Sequence, residues 1–192
     1  MKAYNLFRLV LVAISILSCQ SEKPLPVLGN NPVADFRFVN QDGISITNKT
    51  FEGKIYIANF FFTSCTTICP SMNGVVKGIF EEYKSDPEVM FLSHSIDFKY
   101  DTPSRLKDYA KRLAVSGNQW QFVTGTKESI YGIAEKSYMS AVTEDSTVKE
   151  NFVHQGYLLL VDQKRRLRGA YDSDSEEQVT QLRNDIKKLL EE

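Results

Sequence analysis

The sequence predicts an α/β fold with a central mixed sheet, flanking helices and an N-terminal β-hairpin. Three observations carry this reading. The apolar runs at 55–62 and 89–96 read as strands covered on both faces, as in parallel sheets. Each is followed by a stretch with helical spacing of apolar residues, and strands alternating with helices imply crossover connections. Near the C-terminus, two further strand patterns close enough to pair add an antiparallel edge. No internal repeat and no second domain is legible.

The chain opens with Lys2 and Arg8, an apolar run at 9–17, and Ser18-Cys19. A basic region, a short apolar core and a small residue form a secretory signal over 1–18. The run is shorter than the roughly 20 residues a spanning helix needs. Ile16-Leu17-Ser18-Cys19 resembles the lipobox of bacterial lipoproteins, which implies cleavage before Cys19 and lipid on its thiol. A plain signal peptide or an uncleaved anchor is the alternative. Residues 19–33, with Pro24, Pro26 and Pro32, read as a tether to a domain spanning 34–192.

Phe36-Arg37-Phe38-Val39 and Ile44-Ser45-Ile46-Thr47 alternate around the turn Gln41-Asp42-Gly43, which predicts the hairpin. After the strand at 55–62, Met72, Val75, Val76, Ile79, Phe80 and Tyr83 share one face of a helix expected over 71–84. The strand at 89–96 leads to Thr102-Pro103, an N-cap residue followed by proline at the first helical position. A strand at 120–124 and a helix at 127–136 follow. The polar stretch 143–151 reads as an exposed loop. Strands at 155–161 and 166–171 form the last hairpin, and Val179, Leu182, Ile186, Leu189 and Leu190 give the closing helix an apolar face.

Charge excludes one class of partner. The 23 Lys+Arg lose Lys2 and Arg8 with the signal segment and the 24 Asp+Glu lose none, so the mature formal charge is −3. That balance does not fit nucleic acid. With Cys19 lipidated, Cys65 and Cys69 are the remaining two of three cysteines. One close pair is not the framework of a disulfide-stapled scaffold, so chemistry or one local bridge must account for it.

Cys65 and Cys69 lie at a strand-to-helix junction, where helix N–H groups favour thiolate over thiol. That suits redox chemistry or soft-metal binding. Within a helix, residues four apart have Cβ atoms about 5–6 Å apart, whereas a disulfide needs roughly 3.5–4.5 Å. A bridge is therefore strained, or Cys65 lies in the loop before the helix. His94, inside an apolar strand, reads as structural. Asp101 reads as stabilising the start of the next helix. Met72, Met90 and Met139 read as core or surface residues. A peroxide-reducing role ranks last, because no basic residue falls between Lys54 and Lys77 to support a peroxidatic thiolate.

Three segments together resemble the Sco/SenC family of thioredoxin-like copper proteins linked to cytochrome oxidase assembly. Phe60 to Pro70 is similar to the family's F-F-T-x-C-x-x-x-C-P element, and Ser95 to Pro103 to its S-I-D-P-x-x-D-T-P element. Val153-His154 ahead of Tyr157-Leu158-Leu159 resembles D-H-S-x-x-x-Y-L, and Trp120 to Gly125 resembles W-x-x-L-T-G. Phe98, Val153, Gln155 and Val123 depart from these patterns, at none of the ligand positions. The resemblance covers residue 34 to the end.

It implies a thioredoxin-like fold with a three-donor copper site made of Cys65, Cys69 and His154, for Cu(I), Cu(II) or both. Soft sulfur selects Cu(I), imidazole suits copper, and structural zinc usually wants four protein ligands. Asp97, at the end of a parallel strand, either orients His154 or caps its own loop. The implied function is delivery of copper to the copper-site subunit of cytochrome c oxidase, or preparation of its dinuclear copper site. The protein would act from the periplasmic side of the bacterial envelope, on a lipid anchor. The alternative is a thiol–disulfide reductase that uses the same pair without metal.

Overall fold

Strand β3 (Ile55–Phe61) is buried at all seven positions, as its apolar sequence requires of a strand covered on both faces. The computed structural model describes residues 23–140, 142–144, 152–154 and 156–192, with the backbone alone at 143–144 and 152–154. The signal segment 1–18 and Cys19 lie outside the described residues.

The order along the chain is β1 (Arg37–Asn40), β2 (Ser45–Thr47), β3, α1 (Ile68–Tyr83), β4 (Val89–Ser95), α2 (Pro103–Arg112), β5 (Trp120–Thr124), α3 (Lys127–Tyr138), β6 (Val142–Glu144), β7 (Phe152–His154), β8 (Tyr157–Val161), β9 (Leu167–Asp172) and α4 (Glu176–Glu191). Seven strands form one sheet in the order β2-β1-β5-β4-β3-β8-β9. β3, β4 and β5 are parallel, while β1 and β8 join them antiparallel, so the sheet is mixed. The parallel trio comes from the crossovers through α1 and α2, and the outer strands come from the two hairpins. This is the expected α/β architecture, in its thioredoxin-like form.

Helix α1 starts at Ile68, three residues ahead of the expectation of 71. The apolar pattern begins only at Met72, but Pro70 is compatible with the first turn, where N–H groups lack helical partners anyway. Cys69 is therefore inside the helix and Cys65 outside it. Helices α2, α3 and α4 are capped by Thr102, Thr126 and Ser175, each accepting a backbone N–H at its side-chain oxygen.

The expected loop at 143–151 is in part strand. β6 and β7 pair antiparallel, with Val142 opposite His154 and Glu144 opposite Phe152. Three-residue strands are too short to leave a period in the sequence. Residues 145–151 lie outside the described residues. The strand expected at 155–161 starts at Tyr157.

The segment read as tether lies against the sheet edge from Leu25 onward. Leu28 bridges Leu167, and the Val33 N–H donates to the Arg165 carbonyl at 2.7 Å. Arg168, buried, donates to the carbonyls of Leu25 at 2.6 Å and Pro26 at 3.1 Å. Its guanidinium also pairs with Asp162 and Glu192, each at 2.9 Å.

Candidate metal centre

β3 and β4 end side by side, with Phe61 opposite Ser95, and both chains then run into the site. Asp101 joins them. Its carboxylate accepts the Thr63 N–H at 2.9 Å, the Thr63 hydroxyl, and the Ser95 hydroxyl at 2.6 Å. Thr63 is two residues before Cys65, so the cysteine turn is anchored to the end of β4. The sequence reading gave Asp101 to the helix start, but its side chain reaches back across the sheet instead. Thr102 caps that helix.

The turn closes with the Cys65 N–H on the Phe62 carbonyl at 3.2 Å. Helix α1 begins three residues on, and the Cys69 N–H donates to the Cys65 Sγ at 3.3 Å. The Thr67 hydroxyl lies 3.8 Å from the same sulfur. Cys69 is 1 % exposed and Cys65 is 9 % exposed, so Cys65 is the outer thiol. Both are thiols, with no disulfide between them. A backbone N–H aimed at sulfur from the first helical turn stabilises negative charge there.

The expected site residues fare differently. Cys65 and Cys69 are brought together. His154 lies on β7, whose side chains are outside the described residues. Two residues on, Gly156 presses against the start of α1: a Cβ at 156 would lie 2.6 Å from the Ile68 Cδ1. Among the described residues, no group of three or more His, Cys, Asp or Glu side chains could hold a metal ion. The described donors are thus two adjacent sulfurs, a set that fits a soft ion such as Cu(I).

Asp97 is buried, and its carboxylate accepts the Tyr100 N–H at 3.3 Å. Its own N–H donates to the Ser95 Oγ at 3.2 Å. These bonds cap the loop between β4 and α2. Burial, and then the charge of Asp101, push its carboxyl above the usual range. His94 is structural, as its sequence setting implied. It is fully buried, its Nδ1 meets the Asn59 carbonyl at 3.2 Å, and its ring stacks on Phe60 at 4.9 Å. Desolvation drops it to about 4, keeping it neutral.

A chain of buried polar side chains runs under the cysteines, unrecognised in the sequence. Trp120 Nε1 donates to the Ser93 Oγ at 2.9 Å, and Ser93 to the Asn59 Oδ1 at 2.6 Å. Asn59 donates to the Asn73 Oδ1 at 2.9 Å, and Asn73 to the Tyr109 hydroxyl at 2.7 Å. Burial pushes the Tyr109 phenol up; the Asn73 bond opposes this and the charges of Cys69 and Cys65 add to it. One signal was available: Asn73 interrupts the apolar face of α1, one turn after Cys69.

A thiol pair at a helix N-terminus of a thioredoxin-like sheet defines a class shared by redox and metal-handling proteins. The SCO1/SenC family model matches residues 28–191, and the chain belongs to that family. The fold is similar to a SCO1/SenC family lipoprotein from Bacillus anthracis, at 27 % identity and TM-score 0.77 over 88 % of this chain and 98 % of that one. BsSco, a member of the Sco family of cytochrome c oxidase assembly proteins in which a disulfide switch was identified, matches at 28 % identity and TM-score 0.75. That match covers 87 % of this chain and 98 % of BsSco. Bradyrhizobium japonicum ScoI, solved with copper bound, shares the fold at 19 % identity and TM-score 0.69, over 83 % of this chain and 99 % of its own.

Proposed function

We propose that this protein binds copper through Cys65, Cys69 and His154 and delivers it to the copper-site subunit of cytochrome c oxidase. The observation that carries the reading is the Cys69 N–H on the Cys65 Sγ at 3.3 Å, a contact between two buried cysteines at a helix start that supports a shared ion. Two thiols lose their protons as they take up the ion. Inclusion of His154 is supported by the close approach of Gly156 to Ile68, which brings the chain after β7 to the cysteine turn. The ion is cargo, exchanged onto the partner's ligands. Family membership and the copper-bound fold relative support this choice of metal.

A second reading rests on the position of Cys65 outside the helix, which removes the geometric obstacle to a bridge. Cys65, the outer thiol, attacks a client disulfide as thiolate and releases one client sulfur. Cys69 then displaces the second, leaving a Cys65–Cys69 bridge and a client dithiol, with two electrons transferred. The two readings separate on mixing with an apo copper-site domain. Copper-loaded protein fills that site and His154→Ala does not, whereas a pure reductase reduces the domain's disulfide equally well with either chain.

The envelope location rests on the signal at 1–18 and on Cys19. A Cys19→Ser chain is expected to remain unprocessed or unlipidated; normal lipid labelling would reject the anchor.

A further inference from the structure

Among the described helices, α2 alone has a cationic excess: Arg105, Lys107, Lys111 and Arg112 stand against Asp108. By contrast α1 carries one cation and two anions, α3 two of each, and α4 three cations and four anions. Leu106, Tyr109 and Ala110 are buried, which turns all five charged side chains of α2 to solvent along one outer face. In a chain of formal charge −1, this face is a local reversal of sign. Ion pairing cancels part of it, through Lys107 with Asp42 at 2.9 Å and Lys111 with Asp108 at 3.4 Å. Arg105, Arg112 and the nearby Lys99 are exposed and pair with no carboxylate among the described residues. Helix stability accounts for Lys111 and Arg112, which lie at the negative end of the helix dipole, but not for Arg105. That cation lies at the positive end, in a first turn without an acidic residue, where it costs stability rather than adding to it.

The face starts at the metal centre. Asp101, which accepts the Thr63 N–H at 2.9 Å, immediately precedes the α2 cap, so the first turn of α2 abuts the turn that carries Cys65. Tyr100 lies at the same junction. Its N–H donates to the Asp97 carbonyl at 3.2 Å, which holds its backbone, while the residue is 64 % exposed. A held aromatic residue in water, beside exposed cations, has the composition of an interface anchor. The described N-terminal residues approach from elsewhere. Leu28 bridges Leu167 on β9, at one edge of the sheet, whereas α2 packs over β5 and β1 toward the other. A lipid anchor ahead of these residues draws β9 toward the membrane and leaves α2 turned away from it. The occupant that fits is a protein with an acidic surface.

We propose that the outer face of α2, headed by Lys99 and Tyr100, is the docking surface for the protein that takes copper from the cysteines, and that this protein presents an acidic surface to it. The inference rests on the proposed copper reading and adds how the acceptor is recognised.

The test is the rate of association with the immobilised apo copper-site domain, measured for copper-loaded and copper-free chains. Wild type is compared with Arg105→Glu/Lys111→Glu and with Lys136→Glu/Lys187→Glu, which makes the same charge change at exposed positions of α3 and α4. Steering by a charged patch raises association rates about 10–1,000-fold, so the α2 variant should associate at least about tenfold more slowly, and the control within about threefold of wild type. The wild-type rate should fall toward that of the α2 variant between about 0.01 M and about 1 M salt, as the screening length drops from about 30 Å to about 3 Å. Arg105→Gln/Lys111→Gln, expected to fall between the two, keeps the test open if the charge-reversed helix fails to fold. Equal rates for wild type and the α2 variants, or equal slowing in the control, overturn the docking face while copper binding by wild type stands. Binding to phosphatidylglycerol vesicles that is lost in the α2 variants, at unchanged association with the domain, gives the face to the membrane and overturns the proposal as well. Wild type that holds no copper yet still associates through α2 sinks the copper reading and supports the docking face.

Discussion

The Asp101 carboxylate accepts the Thr63 N–H at 2.9 Å, so the turn that carries Cys65 hangs from a residue 38 positions further along the chain. The same carboxylate takes the Ser95 hydroxyl at 2.6 Å, which locks the ends of β3 and β4 to each other. Asp101→Ala leaves the buried Ser95 hydroxyl and the half-buried Thr63 donors unmatched, at a cost of about 1–3 kcal/mol in urea unfolding. Loss of a residue that orients ligands typically lowers metal affinity about 10–100-fold, and the same variant should fall in that range. Copper affinity equal to wild type in a competition titration would detach Asp101 from the site.

Gly156 meets Ile68 so closely that an added Cβ would displace the flexible tip of the Ile68 side chain. Gly156→Ala must push Ile68, the first residue of α1, by way of its Cδ1 atom at 2.6 Å. The expected result is weaker copper binding with thermal stability lowered by only about 1–3 kcal/mol, as for other overpacked sites. A loss of stability with unchanged copper affinity would separate the two segments.

These two contacts show what the sequence did and did not disclose. Cys65 and Cys69 were legible because the apolar run before them and the apolar face after them bracket a strand–helix junction. The parallel centre of the sheet was legible for the same reason, from β3 and β4. The helix start was misplaced because Cys69-Pro70 carries no apolar period, although it sits in the first turn. Asp101 was misread because its local setting, just ahead of Thr102-Pro103, resembles a helix start, while its partner Thr63 is brought to it only by the pairing of β3 with β4. Asn73 and Tyr109 were hidden likewise: each occupies a core position of its own helix, and only the tertiary fold brings them together.

Arg168 ties the N-terminal segment to β9 and faces two carboxylates. Arg168→Met strands the nearly fully buried Asp162 with Arg166 as its remaining ion-pair partner and releases the carbonyls of Leu25 and Pro26. Breaking a buried pair on one side costs about 3–5 kcal/mol, and retention of Arg166 places this variant at the lower end. Urea unfolding checks the magnitude. Faster proteolysis within 23–33 checks the release, and unchanged cleavage there would contradict the clamp.

His94 sets an acid limit on stability. Its folded value, about 4, lies below the ordinary 6.5, so between those two pH values the unfolded chain binds the extra proton. Stability from this group is complete above pH 6.5, declines as pH falls toward 4, and changes no further below that. The full span corresponds to about 3 kcal/mol. In His94→Phe that part of the slope should vanish, leaving the carboxylates. A wild-type slope identical to that of the variant across pH 4–6.5 would contradict it.

The central claim is that one copper ion is held by Cys65, Cys69 and His154. The direct measurement is a competitive copper titration with visible absorption, on the reduced soluble domain, for wild type, His154→Ala and the Cys65→Ser/Cys69→Ser double variant. The account predicts one ion per wild-type chain and none held tightly by the double variant. His154→Ala should bind at least 10–100-fold more weakly, with its Cu(II)–thiolate band lost or displaced, while its cysteines still form their bridge. Wild-type affinity and spectrum in His154→Ala would remove the imidazole from the site and leave a thiol reductase in its place.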